Sequence, residues 1–182
     1  MFTPVKEIEK GLFEKLKEKF AYKSVMQAPK VEKVVVAVGT GSFKDPNKKD
    51  VVIDRLARIT GQKPKYNKAR KSIATFKLRE GQTIGYQVTL RGERAYAFID
   101  KLIHVALPRT RDFRGLSPDA VDEQGNFTIG IKEHTIFPET SDEELKDIFG
   151  LGVTIVTSAK GKDEALEYLK GLGFPFKKTD NG

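Results

Sequence analysis

The side chains best suited to chemistry here are cations and hydrogen-bonding groups, not nucleophiles. Residues 63–114 carry 13 Lys and Arg against 4 Asp and Glu, whereas residues 115–182 carry 7 against 13. Solubility needs no such segregation, because interspersed charge serves it as well. A one-sign block inside folding sequence is the footprint of a polyanion. Its densest part is "KARKSIATFKLREG", residues 68–81, where Lys68, Arg70, Lys71, Lys77 and Arg79 face Glu80 alone. Ile73, Phe76 and Leu78 between them are expected to pack. In "TIGYQVTLRG", two-residue alternation puts Ile84, Tyr86, Val88 and Leu90 on one face and Gly85, Gln87, Thr89 and Arg91 on the other. An amide, a hydroxyl and a guanidinium in a row, beside a glycine that permits close approach, make a polar platform for phosphate, ribose and base edges. "PRTRDFRG", 108–115, adds three arginines whose forks suit phosphate oxygens, against the alternative of a loop salt-bridged around Asp112.

Other chemistries find little to work with. There is no cysteine, so disulfides and thiolate metal sites are excluded, and His104 and His134 form no zinc pattern. No serine-centred elbow is present. "VGTGSF" lacks the third glycine of a dinucleotide fingerprint, because Lys44 stands where it should be. The glycines there read instead as relief of backbone strain at a turn. Glu143 and Glu144 read as the first turn of a helix, favoured by its dipole. The expectation is no enzyme, no cofactor and no metal. The opening "MFTPVKEIEKGLFEKLKEKF" is too charged for a signal peptide, and no stretch is apolar enough to span a membrane.

These groups need a frame. At 182 residues and net charge +8 the chain is expected to form one domain, 1–182, with an N-terminal helix in 1–20, a basic hairpin region in 68–91 and an acidic part in 140–182. Ile8, Leu12, Phe13, Leu16 and Phe20 give helical spacing over 6–20. "SVMQAPKVEK" is an extended connector, and "KVVVAV", 33–38, a buried strand. Asp45 as cap and Pro46 at the first position open a helix that Gly61 stops. "GQKPKYNKARK" reads as a loop or irregular edge. "SIATFKLR" and "TIGYQVTLR" read as two strands joined across "EGQ". Residues 93–107 form a helix ended by Pro108, followed by a long polar connection. "NFTIGIKEHTIF" is a strand, with His134 on it. "SDEEL", capped by Ser141 with Glu144 three residues on, opens a short helix that Gly150 stops. "LGVTIVTSA" is a strand and "KDEALEYLKGLG" the last helix. The pattern is α+β, an antiparallel sheet with helices on one face.

"KVEKVVVAVGTG", "ITGQKP", "KARKSIATFKLREG", "IGYQVTLRGERAYAFIDKLI", "PRTRDFRGL", "GNFTIGIKEHTIFPE" and "FPFKK", in this order and spacing, resemble the bacterial large-subunit ribosomal protein five family over about residues 20–178. The resemblance implies an antiparallel sheet whose open face docks on 5S ribosomal RNA in the central protuberance. It also implies a hairpin loop that reaches peptidyl-site tRNA, approach to the large-subunit ribosomal RNA and to neighbouring central-protuberance proteins, and a bridge to small-subunit protein thirteen. The location implied is the cytoplasmic ribosome. The family's RNA-binding pattern matches at Gln62, Thr89 and Arg91. It departs at Ala37, where the family commonly has asparagine. Lys63, Lys68, Arg70 and Lys71 are expected at ribosomal RNA, and Lys77, Arg79 and Gln82 toward the tRNA, with the loop tip at "REGQT". Two rivals remain open at the level of sequence, a free-standing RNA-binding regulator and a nucleotide-dependent enzyme.

Overall fold

The computed structural model describes residues 3–41, 43, 46–141 and 148–177. Five strands, β1 (Val31–Gly39), β2 (Lys65–Lys68), β3 (Thr83–Leu90), β4 (Phe127–Ile131) and β5 (Leu151–Thr157), form an antiparallel sheet in the order β2-β3-β1-β5-β4. With helices α1 (Val5–Phe20), α2 (Pro46–Thr60), α3 (Glu93–Lys101) and α4 (Lys162–Gly171) the fold is α+β, as expected from the sequence. One face of the sheet is covered. Val34, Val36 and Val38 of β1, Tyr86, Val88 and Leu90 of β3, and Leu151, Val153 and Ile155 of β5 are buried, while their alternating neighbours are largely half-buried or exposed.

The chain divides into two compact units. The first comprises Met1–Val34, Leu90–Ile129 and Thr154–Gly182. In it α1 packs on α3 and α4, and Gly171 lacks a side chain where one would run into Leu12. A carboxylate holds this packing together. Glu9 accepts from the Tyr96 hydroxyl at 2.7 Å, from the Tyr168 hydroxyl, and from the Val31 N–H at 3.3 Å. Asp100 accepts the Val5 N–H at 2.9 Å, one of the donors that every helix start leaves without an internal partner. Burial, and then Glu9, pushes both the Tyr96 and Tyr168 phenols above their ordinary value.

The second unit comprises Val35–Thr89 and Gly130–Val153. Pro46 does begin α2, and Gly61 follows it at φ 67°, the left-handed stop expected. The proposed cap Asp45 lies outside the described residues. So does Glu144, with the short helix expected around it.

Five features differ from expectation. "SIATFKLR" is not a strand, and its Ile73 and Phe76 do not pack. Ile73 and Leu78 bridge each other around a 3-10 turn at Ala74–Phe76, leaving Phe76 77% exposed. The partner of β3 is β2, from the segment that reads as a loop or irregular edge. β4 stops at Ile131, so His134 lies in a 3-10 turn instead of a strand. It is fully buried there, stacked on Phe149 at 4.0 Å. Beyond Lys101, α3 widens into a π turn at Leu102–Ala106 and tightens into a 3-10 turn at Leu107–Arg109. Gly39 and Gly41 take no positive φ, so the "GTG" turn is not where glycine relieves left-handed strain.

Candidate nucleic-acid interface

The basic segment is built around a short edge pairing. Lys65 pairs with Gln87, Tyr66 with Tyr86 and Asn67 with Gly85, then the register slips before Lys68, which pairs with Thr83. The Tyr66 ring meets Tyr86 edge-on at 5.4 Å, and Asn67 Nδ2 donates to Gln87 Oε1 at 3.2 Å. Burial raises the Tyr86 phenol above its ordinary value, with Tyr66 and Asp50 adding to the effect, so it stays neutral. Gly85 serves the sheet, not a ligand, because a Cβ there would lie 2.7 Å from the Val38 carbonyl oxygen.

After the register slip the chain leaves the sheet and returns at Gln82. Two bonds close the stem of this excursion, Ala69 N–H to the Gln82 carbonyl at 2.8 Å and Gly81 N–H to the Ala69 carbonyl at 3.0 Å. Ala69 is the one buried residue between them. Above the stem, Ile73 and Leu78 exchange backbone bonds of 3.0 and 3.1 Å. Lys77 sits at φ 51° and donates its N–H to Ala74. The tip is therefore 74–77, and "REGQT" is part of the stem. Gln82 is a positioning residue, since its Oε1 accepts the Arg79 N–H at 3.2 Å, and Ser72 Oγ accepts the Glu80 N–H at 2.9 Å.

Lys68, Arg70, Lys71, Lys77 and Arg79 are all exposed, and none makes an ion pair among the described residues. Gln62, half-buried, follows the α2 stop with its N–H 3.4 Å from the Thr60 hydroxyl. Lys63 is exposed, two residues before the start of β2. Thr89 is exposed on the open face of β3, and Arg91 is exposed one residue past its end. Ala37 is half-buried on the alternate face of β1, beside Val35, so the missing asparagine amide leaves that stretch apolar. Phe76 and the β2 residues Lys65, Tyr66 and Asn67 were not among the expected site residues. The interleaving of cations with an aromatic in "KYNK" is the signal that points to them.

The family described as ribosomal protein L5 matches residues 24–79, and the C-terminal part of the same ribosomal family matches residues 83–176. The chain is 54% identical over 170 residues to the large ribosomal subunit protein uL5 of Syntrophomonas wolfei, covering 93% of this chain and 96% of that protein. It is 51% identical over 177 residues to uL5 of Halothermothrix orenii, covering 97% and 99%. It is 53% identical over 165 residues to uL5 of Ureaplasma urealyticum, covering 90% of each. The chain belongs to the uL5 family. A uL5 protein is a structural constituent of the large ribosomal subunit and not an enzyme, and its place is the ribosome, in the cytoplasm. Its binding of ribosomal RNA follows from the family. Among the described residues no helix is long and apolar enough to cross a membrane, and no group of His, Asp and Glu is arranged to hold a metal.

Proposed function

We propose that this uL5 protein holds 5S ribosomal RNA in the central protuberance, touches peptidyl-site tRNA with the 69–82 excursion, and helps bridge to small-subunit protein thirteen. The observation that carries the reading is charge without countercharge. Residues 62–91 hold eight Lys and Arg and one acid, Glu80, and none of these cations is ion-paired among the described residues. A structural role would spend such cations on carboxylates. Left open, they suit phosphates, whose counterions they displace. Thr89, with Arg91 two residues on, and Lys63 just before β2 offer a hydroxyl and two cations to 5S RNA. Gln62 at the α2 stop, and Lys68, Arg70 and Lys71 at the base of the excursion, serve ribosomal RNA. Lys77, Arg79 and the exposed Phe76 ring serve the tRNA, with Gln82 holding their loop. The acidic last third suits the protein-facing bridge.

Affinity for a 5S RNA transcript across a salt series tests this. With about five phosphate contacts, the log–log slope is expected at about −3.5 to −4.5, using about 0.7–0.9 per contact. Arg91→Ala is expected to weaken 5S binding by about 1.5–3 kcal/mol, since its bonds to phosphate are charge-assisted. Thr89→Val is expected to cost about 1–3 kcal/mol through the lost hydroxyl. A flat salt response, or normal binding by both folded variants, overturns the assignment.

A further inference from the structure

The connector between α1 and β1 carries none of the RNA-facing groups, and it builds a pocket. α1 ends where Ala21 takes φ 52°, a left-handed turn that glycine fills more often. On either side of this turn the Phe20 and Tyr22 rings stack, with centroids 5.9 Å and planes 21° apart. Both rings line a cavity of about 280 Å³, together with Ala21, Gln27, Lys160 and Glu164. All six residues belong to the first unit. The volume suits one small ligand, since sites for drug-sized molecules begin at about 300 Å³.

Its polar groups are held in place and keep bonding capacity. Glu164, in the first turn of α4, accepts from the Tyr22 hydroxyl and from the Lys160 N–H at 2.7 Å. An ionised carboxylate has about four lone-pair sites, so these bonds leave half of them open. Burial, and then Glu164, pushes the Tyr22 phenol above its ordinary value, so it stays a donor. Gln27 Oε1 accepts the Lys23 N–H at 2.8 Å, which leaves the amide hydrogens to donate elsewhere. Lys160 is exposed and makes no ion pair among the described residues. Other lysines nearby in sequence are paired, Lys19 and Lys170 with Glu167 at 3.1 and 3.4 Å and Lys162 with Asp119 at 3.5 Å. Residues 160–170 carry three lysines and three acids, so this stretch is neutral where the 68–81 segment is basic.

We infer that this pocket binds the guanine base of a free nucleotide. A purine stacks on the wall made by Phe20 and Tyr22, as bases do on aromatic side chains. Among the common bases only guanine presents two adjacent N–H donors, N1–H and the 2-amino group, beside a carbonyl oxygen, O6. Glu164 takes the two donors as a carboxylate takes the fork of a guanidinium, and Lys160 donates to O6. Adenine turns the lone pair of N1 toward the carboxylate and is rejected. An arginine side chain from a protein partner would meet the same carboxylate, but Lys160 repels it. A strand of RNA needs a run of unpaired cations along its backbone, and the paired lysines around the pocket do not supply one. None of the residues assigned to RNA lines the pocket, so guanine binding stands or falls apart from 5S binding.

The test titrates the isotope-labelled full chain with guanosine, inosine and adenosine monophosphates and follows the backbone amide shifts of Ala21, Gln27 and Lys160. The guanosine nucleotide is expected to bind about tenfold more tightly than the adenosine one, the worth of a good two-bond contact to a base. The inosine nucleotide, which keeps N1–H and O6 but lacks the 2-amino group, is expected to fall between them. Glu164→Gln is expected to remove the preference for guanosine over adenosine. Lys160→Met is expected to weaken the guanosine and inosine nucleotides alike by about fivefold, through the lost bond to O6, with the melt unchanged. Equal binding of guanosine and adenosine nucleotides by the native chain, or no shift with either up to the limit of solubility, overturns the proposal. So does an undiminished preference in a folded Glu164→Gln chain. Glu164 also holds Tyr22, so each variant is melted first. If Glu164→Gln does not fold, the ranking of the three nucleotides on the native chain and on Lys160→Met decides alone. Two further probes identify a wrong occupant. Binding of the single-stranded RNA pentamer AAGAA without binding of the guanosine nucleotide overturns the proposal in favour of an RNA strand. Binding of a blocked Gly-Arg-Gly peptide in place of the nucleotide overturns it in favour of a protein partner.

Discussion

The Glu9 network and the 69–82 excursion handle charge in opposite ways. In the first, one carboxylate collects two tyrosine hydroxyls and a backbone N–H, and ties α1 to α3, α4 and β1 across 159 positions of sequence. In the second, four cations stand on a backbone closed by its own short-range bonds, with one buried side chain beneath them. Polar groups in the first are consumed by the fold. Those in the second are left over from it. Stability and recognition are therefore expected to separate almost completely between the two regions.

The largest expected effect on stability is Glu9→Ala. It leaves two phenol hydroxyls and an amide without their acceptor, for a loss of about 2–4 kcal/mol in a denaturant melt, with RNA affinity unchanged in the folded fraction. Glu9→Gln keeps one acceptor and is expected to recover about half of that loss. If Glu9→Ala instead weakens RNA binding at full stability, the comparison breaks.

Alkaline pH should pull on the same network. The Tyr96 and Tyr168 phenols are raised in the folded state, so folding favours their neutral forms. Their contribution is complete below the unfolded value of about 10 and is lost as pH rises from there toward the folded values. The fully buried Tyr168 phenol adds a downward slope of up to about 1.4 kcal/mol per pH unit in that window, and the half-buried Tyr96 adds less. Melts of the native chain and of Tyr168→Phe between pH 8 and 11 check this, and the variant should show the shallower fall.

Neutralising Arg70, Lys71, Lys77 and Arg79 together to Gln is expected to move unfolding by no more than about 0.5 kcal/mol, because these side chains are exposed and make no ion pair among the described residues. The same variant should release peptidyl-site tRNA faster from reconstituted ribosomes. A large drop in melting temperature would show that the excursion is part of the core after all. The smallest stability effect is expected for Phe76→Ala. Removing a ring that is 77% exposed should leave the melt unchanged, so faster tRNA release by this variant isolates the ring's contact with RNA.

Where the sequence was legible, the signal was local. Pro46 and Gly61 bracket α2 by backbone chemistry alone, and the alternation in β3 matches its burial from Tyr86 to Leu90. Where it misled, tertiary context decided. Ile73, Phe76 and Leu78 have the spacing of a strand, but Lys77 takes a left-handed φ and folds the stretch into a turn. β2 carries no apolar alternation, because it is an edge strand held by its pairing with β3, with only Asn67 of its four residues less than exposed. The Glu9 network joins residues no local pattern connects. Of the site, the cations and Thr89 were legible as chemistry. The positioning role of Gln82 and the structural role of Gly85 were not, since each depends on which carbonyl or amide comes alongside.

The closed stem of the excursion makes its length adjustable. Ala69, Gly81 and Gln82 fix where the chain leaves and re-enters the sheet, so residues added or removed between 70 and 80 leave the pairing of Tyr66 with Tyr86 in place. One residue added to each arm would extend the tip by about 3.3 Å, roughly the spacing of stacked bases. The excursion is thus a caliper whose jaw can be reset without retooling the body, and its span can follow the distance to a partner while the sheet that carries it stays the same.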